Sequence, residues 1–190
     1  MSQTAKTAGT FSIDDYLVLE HTAAIRHELV DGQLYAMVGA TDSHNLIVQG
    51  LAAALRTRLK GSGCRVFTET VKVKIGDNIR YPDVFVTCDA RDNDPLIKMR
   101  PVLVAEVLSD TTRRRDQEEK RDEYRRINSV RHYVLLEQSS ASARCWTRED
   151  DAWTLSRTAT DGELALTTFD CKIPLTEIYE EVWEELSKNA

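Results

Sequence analysis

The sequence predicts an α/β chain of the α+β kind, with a mixed sheet, and three observations carry that expectation. Val102–Leu108 and Tyr133–Leu136 are nearly continuous apolar runs, as in central strands buried on both faces. Residues 26–38 and 66–87 alternate around Asp31-Gly32 and Gly76-Asp77-Asn78, the pattern of two hairpins. Residues 42–59 and 174–186 place their apolar side chains at helical spacing.

In chain order, residues 1–10 (MSQTAKTAGT) are small and polar and are expected to form a flexible N-terminus. Residues 11–190 are expected to form a single domain, since ~100–200 residues per domain is usual and no long linker interrupts them. Ser12 with Asp15 three residues on resembles a capped helix start, leading to a helix through about Glu20. The first hairpin turns on Asp31-Gly32, the dipeptide that tolerates two left-handed residues. Leu46, Ile47, Leu51, Ala54, Leu55 and Leu59 form one helix face, ended by Gly61-Ser62-Gly63. The second hairpin is read as one long strand from Val66 to Ile75 and one long return from Ile79 to Thr87. Arg113–Ile127 reads as a charged helix between the two buried strands. Ala143–Arg148 and Trp153–Arg157 read as a solvent-facing hairpin, and Pro174 opens a helix to Leu186.

The composition is that of an ordinary globular protein, 42% hydrophobic and 29% charged. No apolar run reaches the ~18–20 residues of a membrane span, and the first residues lack a signal-peptide stretch. Cys64, Cys88, Cys145 and Cys171 are widely spaced, which is expected of a reduced, cytoplasmic protein without a disulfide framework. The net charge of −6 runs against a polyanionic partner, but residues 159–190 hold eight acids and two lysines and account for it. The rest of the chain is neutral, and residues 113–131 carry eight Lys/Arg against five Asp/Glu.

Glu106 interrupts a strand otherwise built of Val, Leu and Ala, where an unpaired carboxylate costs several kcal/mol. It is either an ion-pair partner of the following helix or part of a site. Alternation places Asp83 with Tyr81 and Phe85, and Pro82 marks an edge or irregular strand start. Two carboxylates on adjacent strands repel unless a cation lies between them, and oxygen ligands favour Mg²⁺. Counting back from Tyr124 by four gives Lys120, and by three more Gln117, so both are expected to face the sheet. Glu28 lies beside Leu29 and Val30, and His44 lies in the first turn of the long helix. No His-rich zinc site, Ser-His-Asp triad or phosphate-cradling glycine loop is evident.

Taken as an ordered series, Glu28-Leu29-Val30-Asp31-Gly32, His44, Tyr81-Pro82-Asp83-Val84, Glu106-Val107-Leu108-Ser109, Asp116 ahead of Lys120, and Tyr124 resemble one family. It is the Uma-type stand-alone restriction endonucleases, formerly a domain of unknown function, within the PD-(D/E)XK, restriction-endonuclease-like superfamily. The resemblance implies a metal-dependent nuclease of DNA, with Mg²⁺ or Mn²⁺ bound by Asp83, Glu106 and Glu28 and with Lys120 as the catalytic cation that positions the water or neutralises the pentacovalent intermediate. Supporting roles fall to His44, Tyr81, Gln117 and Tyr124, phosphate contacts to Arg113, Arg114 and Arg115, and a homodimer is implied. The superfamily lysine would stand at Leu108; Lys120 is its expected spatial substitute. Asp110 departs from the proline usual in relatives. Two other readings stay open: an inactive nucleic-acid- or partner-binding module, and a buried ion cluster in a protein of other function.

Overall fold

The structure, a computed structural model, describes residues 10–37, 39–109 and 115–188. The expected flexible terminus (residues 1–9), Asp110, Arg113 and Arg114 lie outside the described residues, as does the side chain of Arg115.

Helix α1 (Ile13–Thr22) starts on Ser12 in a closed capping box: Asp15 N–H donates to Ser12 Oγ at 3.2 Å, and Ser12 N–H to Asp15 Oδ2 at 3.3 Å. Strands β1 (His27–Val30) and β2 (Gln33–Ala36) form the first hairpin, with Asp31 and Gly32 both left-handed at φ 49° and 74°. Helix α2 (Asp42–Arg58) follows the N-cap Thr41, whose Oγ1 accepts from the His44 N–H.

The second hairpin departs from expectation. It is not two long strands but four short ones: β3 (Arg65–Thr68), β4 (Lys72–Ile75), β5 (Asn78–Arg80) and β6 (Val84–Thr87). β3 pairs with β6, and β4 with β5, but the two pairs belong to different sheets. The breaks fall at Glu69–Val71 and Tyr81–Asp83. Glu69 adopts a left-handed backbone (φ 41°), and Pro82, one residue beyond its partner Asp83, lacks the N–H to continue the ladder. At the fold line the Glu69 N–H still donates to the Asp83 carbonyl at 3.2 Å.

Beyond β6 come β7 (Ile97–Lys98), a short strand not evident in the sequence, and β8 (Pro101–Leu108). A π-helical turn, Arg115–Lys120, runs into α3 (Arg121–Arg125) and leads to β9 (His132–Glu137), which pairs parallel to β8. β10 (Ser142–Glu149) and β11 (Ala152–Ala159) form the expected hairpin, and β12 (Glu163–Leu166) with β13 (Cys171–Pro174) a further one. One sheet has the order β2-β1-β5-β4-β7 and the other β11-β10-β9-β8-β6-β3.

Alternation along the six-stranded sheet sorts its two faces. Val84, Val86, Leu103, Ala105, Val107, Val134 and Leu136 pack with Ile47, Leu51 and Leu55 of α2. Phe85, Val104, Leu108, Tyr133 and Leu135 pack with Tyr124 of α3 and with Val73 and Ile75 of the other sheet. Glu106, between Val104 and Leu108, is thereby turned to the second face.

The C-terminal segment is not one helix but three pieces: α4 (Leu175–Ile178), a 3₁₀ turn (Glu180–Val182) and α5 (Trp183–Lys188). Its apolar side chains Leu175, Ile178, Tyr179 and Val182 close the α2 face of the core, so this stripe is not left over for a homodimer contact. Gly50 of α2 lets the Ile178 backbone approach: a Cβ there would collide with the Ile178 carbonyl. The expectation of wholly reduced cysteines is also corrected. Cys64 and Cys88, flanking the paired Arg65 and Thr87, are joined by a disulfide across the ends of β3 and β6. Two residues 24 apart in sequence met because the bent hairpin brought them into register. Among the described residues no helix is long and apolar enough to cross a membrane.

Candidate active site

A cleft of about 1080 Å³ opens between the two sheets and the start of α2, lined by Glu28, His44, Glu69, Tyr81, Asp83, Glu106 and Lys120 among others. Each of these residues is delivered by a different local device. Asp83 follows Pro82 where β6 begins, and its Oδ2 accepts the Val107 N–H at 2.7 Å, which fixes the carboxylate against β8. Glu106 lies one residue earlier on β8. His44 comes from the capped first turn of α2, and its Nε2 stands 3.4 Å from Asp83 Oδ1. Tyr81 is buried and donates its hydroxyl to Glu20 Oε1 at 3.0 Å; burial pushes its phenol up to about 12.

Lys120 faces inward as expected, 3.0 Å from Glu106 Oε1 and 3.7 Å from Glu28 Oε1, and is only 5% exposed. Gln117 does not accompany it. The segment is π-helical, so turns close at i→i+5 and the three-residue step no longer stacks Gln117 beneath Lys120. Gln117 instead lines a separate groove with Glu137, Ser142 and Arg144. Tyr124 is fully buried, with its hydroxyl 3.4 Å from Glu106 Oε1. Burial, reinforced by the charges of Glu106 and Glu28, holds its phenol proton well above the ordinary range, so Tyr124 serves Glu106 as a donor.

Behind this row sits Arg80, 0% exposed, a residue that nothing in the pattern of its neighbours singles out. Its guanidinium makes a two-pronged contact with Glu123 at 2.7 and 2.8 Å and donates to Glu28 Oε2 at 2.9 Å. The Tyr81 N–H donates to Glu28 Oε1 at 3.3 Å. Glu28 is thus held between Arg80 and Lys120. Burial works against the charge of Arg80, but hydrogen bonding to Glu123 and the charge of Glu28 outweigh it and raise its pKa.

Glu69 is the other residue that sequence reasoning missed. Among the described residues, the ligand atoms of His44, Glu69 and Asp83 lie within 4.8 Å of one another. Two carboxylates and an imidazole at that spacing suit a divalent cation. The signal for Glu69 was faint: the polar pair Glu69-Thr70 interrupts an alternating run directly across from Pro82.

An irregular antiparallel and parallel sheet, a carboxylate at the head of one strand, a buried carboxylate on the next and a lysine above it define a restriction-endonuclease-like protein. The solved structures agree on the fold. A chain described as a "putative nuclease belonging to DUF820" from Anabaena variabilis superposes with a TM-score of 0.69, covering 90% of this chain and 98% of that one at 14% identity. Residues 13–174 match the Uma2 family, described as "Putative restriction endonuclease", and the chain belongs to that family. Two uncharacterized proteins of Synechocystis sp. are similar to it. One is 30% identical over 172 residues, 88% of this chain and 90% of the relative; the other is 28% identical over 129 residues, 65% and 73%.

Proposed function

We propose that this chain is a divalent-metal-dependent endonuclease that hydrolyses phosphodiester bonds of DNA, working in the cytoplasm. The observation that carries the reading is the meeting, in one cleft, of Asp83 just before β6, Glu106 of β8 and Lys120 of the π-helical turn. A divalent ion, Mg²⁺ or Mn²⁺, would be held at Asp83; Glu106 and Glu28, the other acids expected to hold it, pair with Lys120 and Arg80. Such an ion supplies Lewis-acid polarisation of a phosphoryl oxygen and acidifies water.

The protein's own groups do the rest. The Val107 N–H holds one Asp83 oxygen and turns the other to the cleft. Lys120, buried 3.0 Å from Glu106, would offset the negative charge that grows on a phosphate in the cleft, in a nearly dry setting. Tyr124 keeps its proton and donates to Glu106, so Glu106 keeps one orientation. The basic run Arg113, Arg114 and Arg115 would contact phosphates without reading sequence. In the cytoplasm the Cys64–Cys88 bond would face reducing conditions, since disulfides seldom persist there.

Plasmid nicking with millimolar Mg²⁺ or Mn²⁺ tests this reading. Wild type should nick, and Asp83→Ala, Glu106→Ala and Lys120→Ala should each lose at least about 100-fold, the scale of a displaced charge-stabilising group. The pairing of Glu106, Lys120, Glu28 and Arg80 favours a second reading, a fold kept for binding. DNA retained in a mobility shift by wild type that nicks with neither metal would select it.

A further inference from the structure

The geometry points to His44, Glu69 and Asp83 as a metal site of mixed nitrogen and oxygen character that takes Mn²⁺ in preference to Mg²⁺. The use of that ion in catalysis rests on the nuclease reading above, but its binding does not. The site differs from the acid set expected at Glu28, Asp83 and Glu106. Glu106 and Glu28 turn toward Lys120, and Glu28 also toward Arg80. The side chains of His44 and Asp83 keep 11% and 18% of their surface exposed, and Glu69 is half-buried.

Three independent segments place the donors. His44 projects from the capped start of α2, Asp83 from the head of β6, and Glu69 from the fold line of the bent hairpin. Two ligands bound at ~2.1 Å to one ion stand about 3.0 Å apart at adjacent octahedral positions and about 3.4 Å apart in a tetrahedron. The His44 Nε2 to Asp83 Oδ1 separation of 3.4 Å falls in that range, and the Glu69 carboxylate lies within 4.8 Å of both. The remaining Asp83 oxygen is occupied by the Val107 N–H at 2.7 Å, so the carboxylate is oriented before any ion arrives. The cleft of about 1080 Å³ leaves room for water and a phosphate oxygen to complete the coordination.

The donor chemistry sets the preference. Mg²⁺ binds carboxylates and water and rarely an imidazole, whereas first-row transition dications accept imidazole readily, and Mn²⁺ also suits carboxylates. A site of one imidazole and two carboxylates therefore discriminates against Mg²⁺ and Ca²⁺ by ligand type.

The test uses the full chain, stripped with EDTA and desalted, titrated with Mn²⁺ and with Mg²⁺. Melting reports affinity, and electron spin-echo spectroscopy of bound Mn²⁺ reports nitrogen coupling. One Mn²⁺ per chain with a histidine nitrogen signal is expected, and Mg²⁺ should bind at least about tenfold more weakly. His44→Ala should erase the nitrogen signal, and both it and Glu69→Gln should weaken Mn²⁺ by more than about tenfold. His44→Gln, which keeps side-chain bulk, should also erase the signal, and circular dichroism verifies that each variant is folded. Bound Mn²⁺ with no nitrogen coupling, coupling that survives His44→Ala, or no bound Mn²⁺ at all overturns the site. A wild type that shows the coupling yet fails to cut DNA upholds the site and overturns the nuclease reading alone.

Discussion

Two sets of charged side chains meet across the same cleft, and they are built on opposite terms. On the inner side Arg80, Glu28, Glu123, Lys120 and Glu106 form a chain of contacts between 2.7 and 3.7 Å, with Arg80, Glu28, Lys120 and Glu106 at most 6% exposed at the side chain. On the outer side His44, Glu69 and Asp83 stand at looser spacing, and the side chains of His44 and Asp83 keep 11% and 18% of their surface open. In the inner set acids and bases alternate, so each buried charge is offset by a neighbour. The outer set gathers two acids and an imidazole that are only partly shielded. Burial with compensation lets the first brace the fold as well as serve the proposed chemistry; partial exposure with like chemistry suits the second to a cation.

The contrast breaks most sharply at Arg80. Arg80→Ala leaves Glu28 and Glu123 without their guanidinium, and urea unfolding should show a loss of about 3–5 kcal/mol, the usual cost of orphaning a buried ion. A much smaller loss would mean that the inner set tolerates an unbalanced charge and is not structural.

Acid sharpens the comparison by isolating a buried group that belongs to neither set. Burial lowers His132 to about 4, with Nε2 accepting the Thr168 N–H and Nδ1 beside Thr147 Oγ1. Its value in an unfolded chain is about 6.5, so between pH 6.5 and 4 the unfolded state binds more protons. The stabilisation is therefore complete above pH 6.5 and lost as pH falls toward 4, by about 3 kcal/mol in all. Urea midpoints measured against pH should fall through that window, and less steeply in His132→Gln; equal slopes would shift the acid sensitivity to the charged clusters.

The smallest effect is expected on the outer side. Asp83→Asn keeps an oxygen for the Val107 N–H and removes only charge, so stability without metal should change by less than about 1 kcal/mol. The same substitution should abolish the gain of ~2.7 kcal/mol that wild type shows with metal at 100-fold over its Kd. If Asp83→Asn unfolds the protein as readily as Arg80→Ala, the two sets are one.

How much of this was legible in the sequence follows from locality. Asp83 and Glu106 could be read because apolar neighbours advertise an anomalous acid, and Lys120 because Tyr124 marks the inner face of its helix. Gln117 misled because the α-helical count fails in a π-helical turn, which leaves no mark in composition. Arg80 and Glu69 were missed for a shared reason. Each sits in what reads as a long regular strand, and only the division of the hairpin between two sheets gives them their places. The C-terminal break was equally hidden, since apolar spacing continues through it and the turn is fixed by contact with Gly50 far away in sequence. The Cys64–Cys88 pair likewise depends on register that 24 intervening residues do not announce.

The bent hairpin has a bearing on how the molecule acquires its site. Asp83 and Glu69 stand on the crease where one ribbon of chain passes between two sheets, so neither sheet by itself assembles the cleft. A slip of one residue in either arm would turn Asp83 to the opposite face, away from Glu106. The cleft thus exists only where the two sheets are docked, and a chain with one of them undone carries every residue of the site without possessing it.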